Sequence, residues 1–301
     1  MRVIRLITLS LCLLEPAILA GESGQGSADT DAGGKKVLDR AEVLPALRPA
    51  VKELLADIEA KAGLQVVFRE LPPSSYVVAE YWFDTAKNTP NVYLRRGWQD
   101  VDVAHELMHM KLELREGFRV LAWRRDVPHS KEIEAAFGRL RGYVDDQVVH
   151  VRLVRAGYKA DGEVLKPQLF DSIYTNATRY LKEGRARAND GMAHLDALGH
   201  GDLCRATFLV QAELVLKFFG GALPPERLGL AKEFSAAFRA HRAKEAAKAD
   251  KILALFEKYD VLTVAGHESI LREWSEMEGL DRFVGISAYK REGGRYILPW
   301  P

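Results

Sequence analysis

Cysteine is nearly absent from this chain of 301 residues: only Cys12 and Cys204 occur. Cys12 sits in an N-terminal segment expected to be removed, so no intrachain disulfide can brace the mature protein and its fold must rest on a hydrophobic core. Cys204 falls in the apolar run from Leu203 to Val210 and reads as a small core residue rather than a nucleophile. An excess of one charge sign is missing as well. Lys and Arg number 43 against 42 Asp and Glu, a formal net charge of +1, so the electrostatic footprint of a nucleic-acid binder is lacking. No long apolar run follows the N-terminus, so no membrane span is expected in the mature chain. Internal repeats are missing too, which sets repeat architectures aside.

The N-terminus carries a clear pattern. Arg2 and Arg5 precede an apolar stretch from Leu6 to Leu14, and Ala17-Ile18-Leu19-Ala20 then leads into a Gly/Ser/Asp-rich segment. Charged start, short apolar stretch and small residue at the cut are the order of a secretory signal peptide. The stretch is shorter than the roughly 20 residues that span a bilayer. A signal peptide over 1–20 is therefore expected, with a mature start near Gly21 and a secreted or periplasmic location. Leu11 precedes Cys12, which argues against a lipoprotein cleavage box. Residues 21–40 read as a disordered linker, richest in Gly, Ser and Asp over 21–35.

Beyond it, Leu47, Val51, Leu54, Leu55 and Ile58 recur at helical spacing, with Gly63 as a stop, and predict a helix over 41–62. Leu64–Leu71, Tyr76–Phe83 and Asn91–Leu94 read as three strands separated by Pro72-Pro73-Ser74-Ser75 and Asn88-Thr89-Pro90. A helix follows from Asp100 to Glu116, and downstream the pattern is mainly helical: 131–156, 168–183, 203–219, 226–258 and 267–278. This predicts an α+β fold, a small sheet with its helices followed by a mainly helical extension. The break at Gly162 to Pro167 divides a core over 41–162 from an extension over 163–301.

The chemistry concentrates in His105-Glu106-Leu107-Met108-His109. Two histidines four apart on a helix share one face, so both imidazoles can reach a single Zn²⁺ at roughly 2.0–2.1 Å. Glu106 points aside from that face and can serve as a general base without being a ligand. Val101, Ala104, Met108 and Leu112 form an apolar stripe that fits a helix packed in a core.

At these residues the chain resembles the zincin metallopeptidases, over about 60–80 residues, a span typical of motif-level likeness. The resemblance implies a small zincin-like sheet with an active-site helix, a zinc-bound site, a peptide or protein substrate, and an edge-strand role for Asn91–Leu94 in pairing with that substrate. A third His six residues after His109 is missing, since Arg115 stands there. The resemblance therefore points to the gluzincin-like branch, in which an acidic residue on a later helix completes the metal site. Asp145 and Asp146, adjacent carboxylates in an otherwise apolar helical run, are the candidates. Asp145 borders the Val144/Val148/Val151 stripe and is taken as the ligand; Asp146, facing the side of Tyr143 and His150, is taken as the acceptor behind a ligand His. The reverse assignment stands open. Glu is usual at this place in the family, and the shorter Asp requires a closer helix.

His150 and Tyr143 are candidates for stabilising an oxyanion, with Tyr158 and Tyr174 as further possibilities. His194, Asp196, His200 and Asp202 are loosely spaced around Gly199 and Gly201 and read as a loop rather than a second metal site. His267-Glu268 starts a second His-Glu pair, but Leu271 replaces its second His, so it reads as a decoy. The expected function is a secreted or periplasmic zinc-dependent hydrolase, a metallopeptidase with Glu106 as base. The alternatives are a non-enzymatic zinc-binding interaction module with a peptidase-like core, and a metal-dependent amidase.

Overall fold

The computed structural model describes residues 36–75, 77–124, 127, 131–183 and 201–299. The expected signal peptide, the expected linker up to residue 35, the segment with His194, Asp196 and His200, and the side chains of Asp202 and Cys204 lie outside the described residues.

The chain is α+β, as its patterning predicts. Helices α1 (Arg40–Val43) and α2 (Pro49–Ala62) lead to strands β1 (Val67–Glu70), β2 (Ala79–Asp84) and β3 (Thr89–Leu94), then to helix α3 (Asp100–Arg115). Strand β4 (Val120–Trp123) precedes the long helix α4 (Lys131–Arg155). A π-helical turn over Leu169–Tyr174 runs into α5 (Thr175–Lys182). Helices α6 (Gly201–Phe219), α7 (Pro225–His241), α8 (Ala243–Lys258) and α9 (Val264–Met277) follow, then strands β5 (Val284–Ser287), β6 (Lys290–Glu292) and β7 (Arg295–Ile297). Among the described residues no helix is long and apolar enough to cross a membrane.

The first sheet has the order β1-β3-β2, with β1 parallel and β2 antiparallel to β3. This corrects the expected role of Asn91–Leu94. That segment lies in the central strand, and its backbone is paired on both sides, Val92 with Phe68 and with Tyr81. A central strand has no free edge to offer a peptide. The edge beside α3 is β2. Residues 36–40 also depart from the linker reading. Val37 bridges Arg69, Leu38 donates to the Phe68 carbonyl and Glu70 donates to the Lys36 carbonyl, so this stretch lies along β1, and Asp39 caps α1.

Helix α3 is the centre of the molecule, packed against α2, β2, β3 and α4. Every residue from Val101 to Met110 is buried. Its start is a capping box: Gln99 caps the helix and its own backbone N–H donates to Asp102 Oδ2 at 2.7 Å. Its end is Gly117, whose φ of 74° a side-chain-bearing residue adopts only with strain. A helix buried on all sides forces its polar residues into the interior, where each must find a partner or a ligand.

The two halves expected from the sequence share one hydrophobic core, and β4 pairs antiparallel with β5 from the far end of the chain. The long helix expected over 226–258 is broken at Arg242, which adopts a non-helical conformation between α7 and α8. Strands β4 to β7 fall in stretches without period-two alternation. The β6–β7 hairpin did carry a signal, Gly293-Gly294 with φ of 57° and 80°, the pair of positive angles that a two-residue hairpin turn demands.

Candidate metal centre

Helix α3 presents His105 and His109, one turn apart, toward α4, which presents Asp146. The Nε2 atoms of the two histidines lie 3.0 Å apart. Asp146 Oδ1 lies 3.4 Å from His105 Nε2 and 3.2 Å from His109 Nε2. Asp146 is 0% exposed, and neither of its oxygens has a hydrogen bond of good geometry among the described residues. Three ligand-type atoms thus converge on one point in the interior, with at most one hydrogen available between the facing imidazole nitrogens.

These separations can be tested against a metal. Tetrahedral zinc with bonds of roughly 2.0–2.1 Å sets its ligands about 3.3–3.4 Å apart. The observed 3.0, 3.2 and 3.4 Å match that spacing to within a few tenths of an ångström. The donor set, two imidazoles and one carboxylate, would suit zinc. Burial alone would raise the Asp146 pKa, but His105 and His109 outweigh it and hold the carboxyl below its ordinary range.

Glu106 follows His105 and is buried. Burial pushes its pKa up to about 7, against the pull of His105 and of a hydrogen bond from the Tyr81 backbone N–H; Asp146 adds to the rise. Its neighbourhood therefore suits a group that takes and gives a proton near neutral pH. His105 and Glu106 open onto a pocket whose walls also include Asp102 on α3, His150 on α4, Lys166, and Gln211 on α6. The His150 ring lies 5.3 Å from the His105 ring, centre to centre. Burial lowers its pKa to about 3, with Asp146 pulling the other way, so this imidazole is neutral at physiological pH.

Asp145 groups with His109 and Glu113, their ligand-type atoms within 4.8 Å of one another, but both its oxygens are taken up by other side chains. Its Oδ1 lies 2.7 Å from His267 Nε2 and its Oδ2 accepts from Arg141 Nε at 2.9 Å. Arg141 also bonds Glu113 on α3. Burial acts against the Arg141 charge, but Glu113 and Asp145 hold the guanidinium protonated. Burial raises Asp145 as well, yet Arg141 and His267 win and keep it ionised. The geometry favours the assignment that the sequence left open: Asp146 lies against both histidines, whereas Asp145 is held in an ion-pair network beside His109. The reason lies one turn back on α4, where Arg141 sits at the i−4 position of Asp145 and claims it. His267, read as a decoy, is part of this network and 1% exposed.

The other candidates separate. Tyr143 is buried and not on the pocket wall, because it stands one turn before Asp146 while the pocket opens at the C-terminal side, at His150 and Leu153. Tyr158 donates to Asp100 Oδ2 at 2.5 Å and lies under Arg48, bracing the loop after α4. Tyr174 is buried and stacks on Phe234. Gln211 and Lys166 were not singled out from the sequence, since lone polar residues in an amphipathic helix and a loop carry no local signal. Comparison with protein-family models, with curated proteins and with solved structures finds no match to this chain in any of the three.

Proposed function

We propose that this protein is a zinc-dependent hydrolase of the metallopeptidase type, acting on peptide or related amide bonds outside the cytoplasm. His105, His109 and Asp146 would hold the metal. When bound, zinc supplies Lewis acidity, which makes water a stronger acid and a carbonyl a better electrophile. Glu106, on the pocket wall beside His105, accepts the proton from the attacking water and returns it to the leaving amine. Neutral His150, on the same wall, can donate an N–H to the oxygen that gains charge. Asp146 stays ionised in its buried place.

The observation that carries this reading is the convergence of two imidazole nitrogens and one carboxylate oxygen, 3.0–3.4 Å apart in the interior, with no Lys or Arg paired to that carboxylate among the described residues. The motif likeness to gluzincin-like peptidases supports it, and so does the helix α4 that delivers the acidic residue. A closed, structural zinc site in a binding module is the second reading, favoured by the burial of His109 and Asp146. The enzyme reading is preferred because His105 and Glu106 reach the pocket and a structural site has no use for a base there. The test is incubation of the purified mature chain with a mixed peptide pool, with and without a chelator. Chelator-sensitive cleavage that Glu106→Gln abolishes supports the enzyme. Retained zinc without cleavage in any pool supports the module.

A further inference from the structure

The pocket beside the metal centre contains a polar group that the proposed chemistry does not use. Gln211 reaches the wall from α6, is 5% exposed, and its Oε1 accepts no hydrogen bond among the described residues. The charged groups around it are matched already. Lys166 Nζ lies 3.0 Å from Asp102 Oδ1, and Asp102 Oδ2 accepts from the Gln99 N–H at 2.7 Å. Glu163 is engaged by Arg48 and by the Lys159 N–H at 2.6 Å. The rest of the wall is largely aliphatic, from Val101, Leu153, Val164, Leu165 and Leu169. A buried carbonyl oxygen without a donor is costly to leave unmet, and a ligand is the natural source of the missing hydrogen.

We propose that Gln211 is a specificity-determining residue that receives an uncharged hydrogen-bond donor of the substrate, the carboxamide or hydroxyl of a side chain next to the bond attacked at Glu106. This deepens the metallohydrolase reading and rests on it. The choice of chemistry follows from what the wall offers. A substrate ammonium would find Asp102 and Glu163 already paired with cations. A carboxylate would meet Lys166 already neutralised and no unmatched cation on the described wall. An aliphatic side chain would suit Leu153 and Leu165 but leave Oε1 unmet. Only a neutral donor satisfies the aliphatic walls and the amide together. Gln211 and Glu106 line the same pocket, so recognition and reaction fall on the same or adjacent residues of the substrate.

Hydroxamates that anchor on zinc test this without turnover. The zinc-loaded full chain is titrated with N-acetyl-asparagine hydroxamate and N-acetyl-leucine hydroxamate. The wild type should bind the asparagine probe roughly 10- to 100-fold more tightly, the range set by one unmet buried acceptor. Gln211→Leu, with its zinc content unchanged, should lose or reverse that preference. Gln211→Glu provides a second handle: it should gain about 10-fold for the matching diaminobutyrate hydroxamate, whose ammonium meets the new carboxylate. Equal binding of both neutral probes by the wild type overturns the proposal, as does a preference that both variants leave unchanged. Wild-type protein that takes up no zinc and binds no hydroxamate overturns the metal reading, and the subsite falls with it. Zinc uptake with unselective hydroxamate binding overturns the subsite alone.

Discussion

Helices α3 and α4 build two buried acidic groups side by side, and they are satisfied in opposite ways. In the first, Glu113 and Asp145 share the guanidinium of Arg141, and His267 from α9 closes the network. In the second, among the described residues, Asp146 lies against two imidazoles, whose nitrogens also face each other. The two carboxylates are neighbours in the chain, equally deep, and made of the same atoms. The difference is a permanent cation: one group has Arg141, and the other has no Lys or Arg paired to it among the described residues. Burying a carboxylate without a fixed cation is costly, which is why we propose that the second group takes a positive charge from outside the chain. A ready-made ion pair and a prepared site are thus distinguishable by asking which buried anions the chain itself neutralises.

The comparison breaks most visibly at Arg141. Arg141→Met should destabilise the metal-free protein by about 3–5 kcal/mol, because Glu113 and Asp145 lose their cation in the interior. Denaturant unfolding in the presence of a chelator measures this. Glu106→Gln should lower turnover by about 10²–10⁴-fold, the worth of a general base, and leave zinc content unaltered; steady-state rates beside metal analysis of the same sample check both halves. His267→Ala removes one hydrogen bond to a charged group and should cost about 1.5–3 kcal/mol, read from the same unfolding curves. The smallest change sharpens the contrast most. Asp146→Asn in the metal-free protein should change stability by no more than about 1 kcal/mol, or raise it, because it removes a buried charge that lacks a cation. A large loss of stability there would mean that the histidines already satisfy Asp146 and that the two groups are not different in kind.

Much of this was legible in the sequence. The α+β class, the three strands and the helix carrying His105, Glu106 and His109 follow from local periodicity, and a buried helix announces itself through Val101, Ala104, Met108 and Leu112. The pair Asp145 and Asp146 was legible as a candidate pair; the apolar stripe favoured Asp145 as the ligand, whereas the geometry favours Asp146. Arg141, four residues before Asp145, held the better clue, since an i,i+4 ion pair uses up one aspartate and leaves the other. Strand order could not be read locally: nothing within Asn91–Leu94 says that it is central rather than at the edge, because that depends on where β1 and β2 pair. His267 and Gln211 reach the two sites from α9 and α6 across more than 60 residues of chain, through tertiary packing that no local pattern encodes.

The central claim is that His105, His109 and Asp146 form one metal site and that Asp145 belongs to a different structure. Zinc stoichiometry, measured on the purified wild type and on single variants after equilibration with a limiting chelator, tests it most directly. The account predicts one zinc per wild-type chain and none in Asp146→Ala. Asp145→Ala should still bind one zinc per chain. Zinc retained by Asp146→Ala and lost by Asp145→Ala would contradict the account, as would a wild type that binds none.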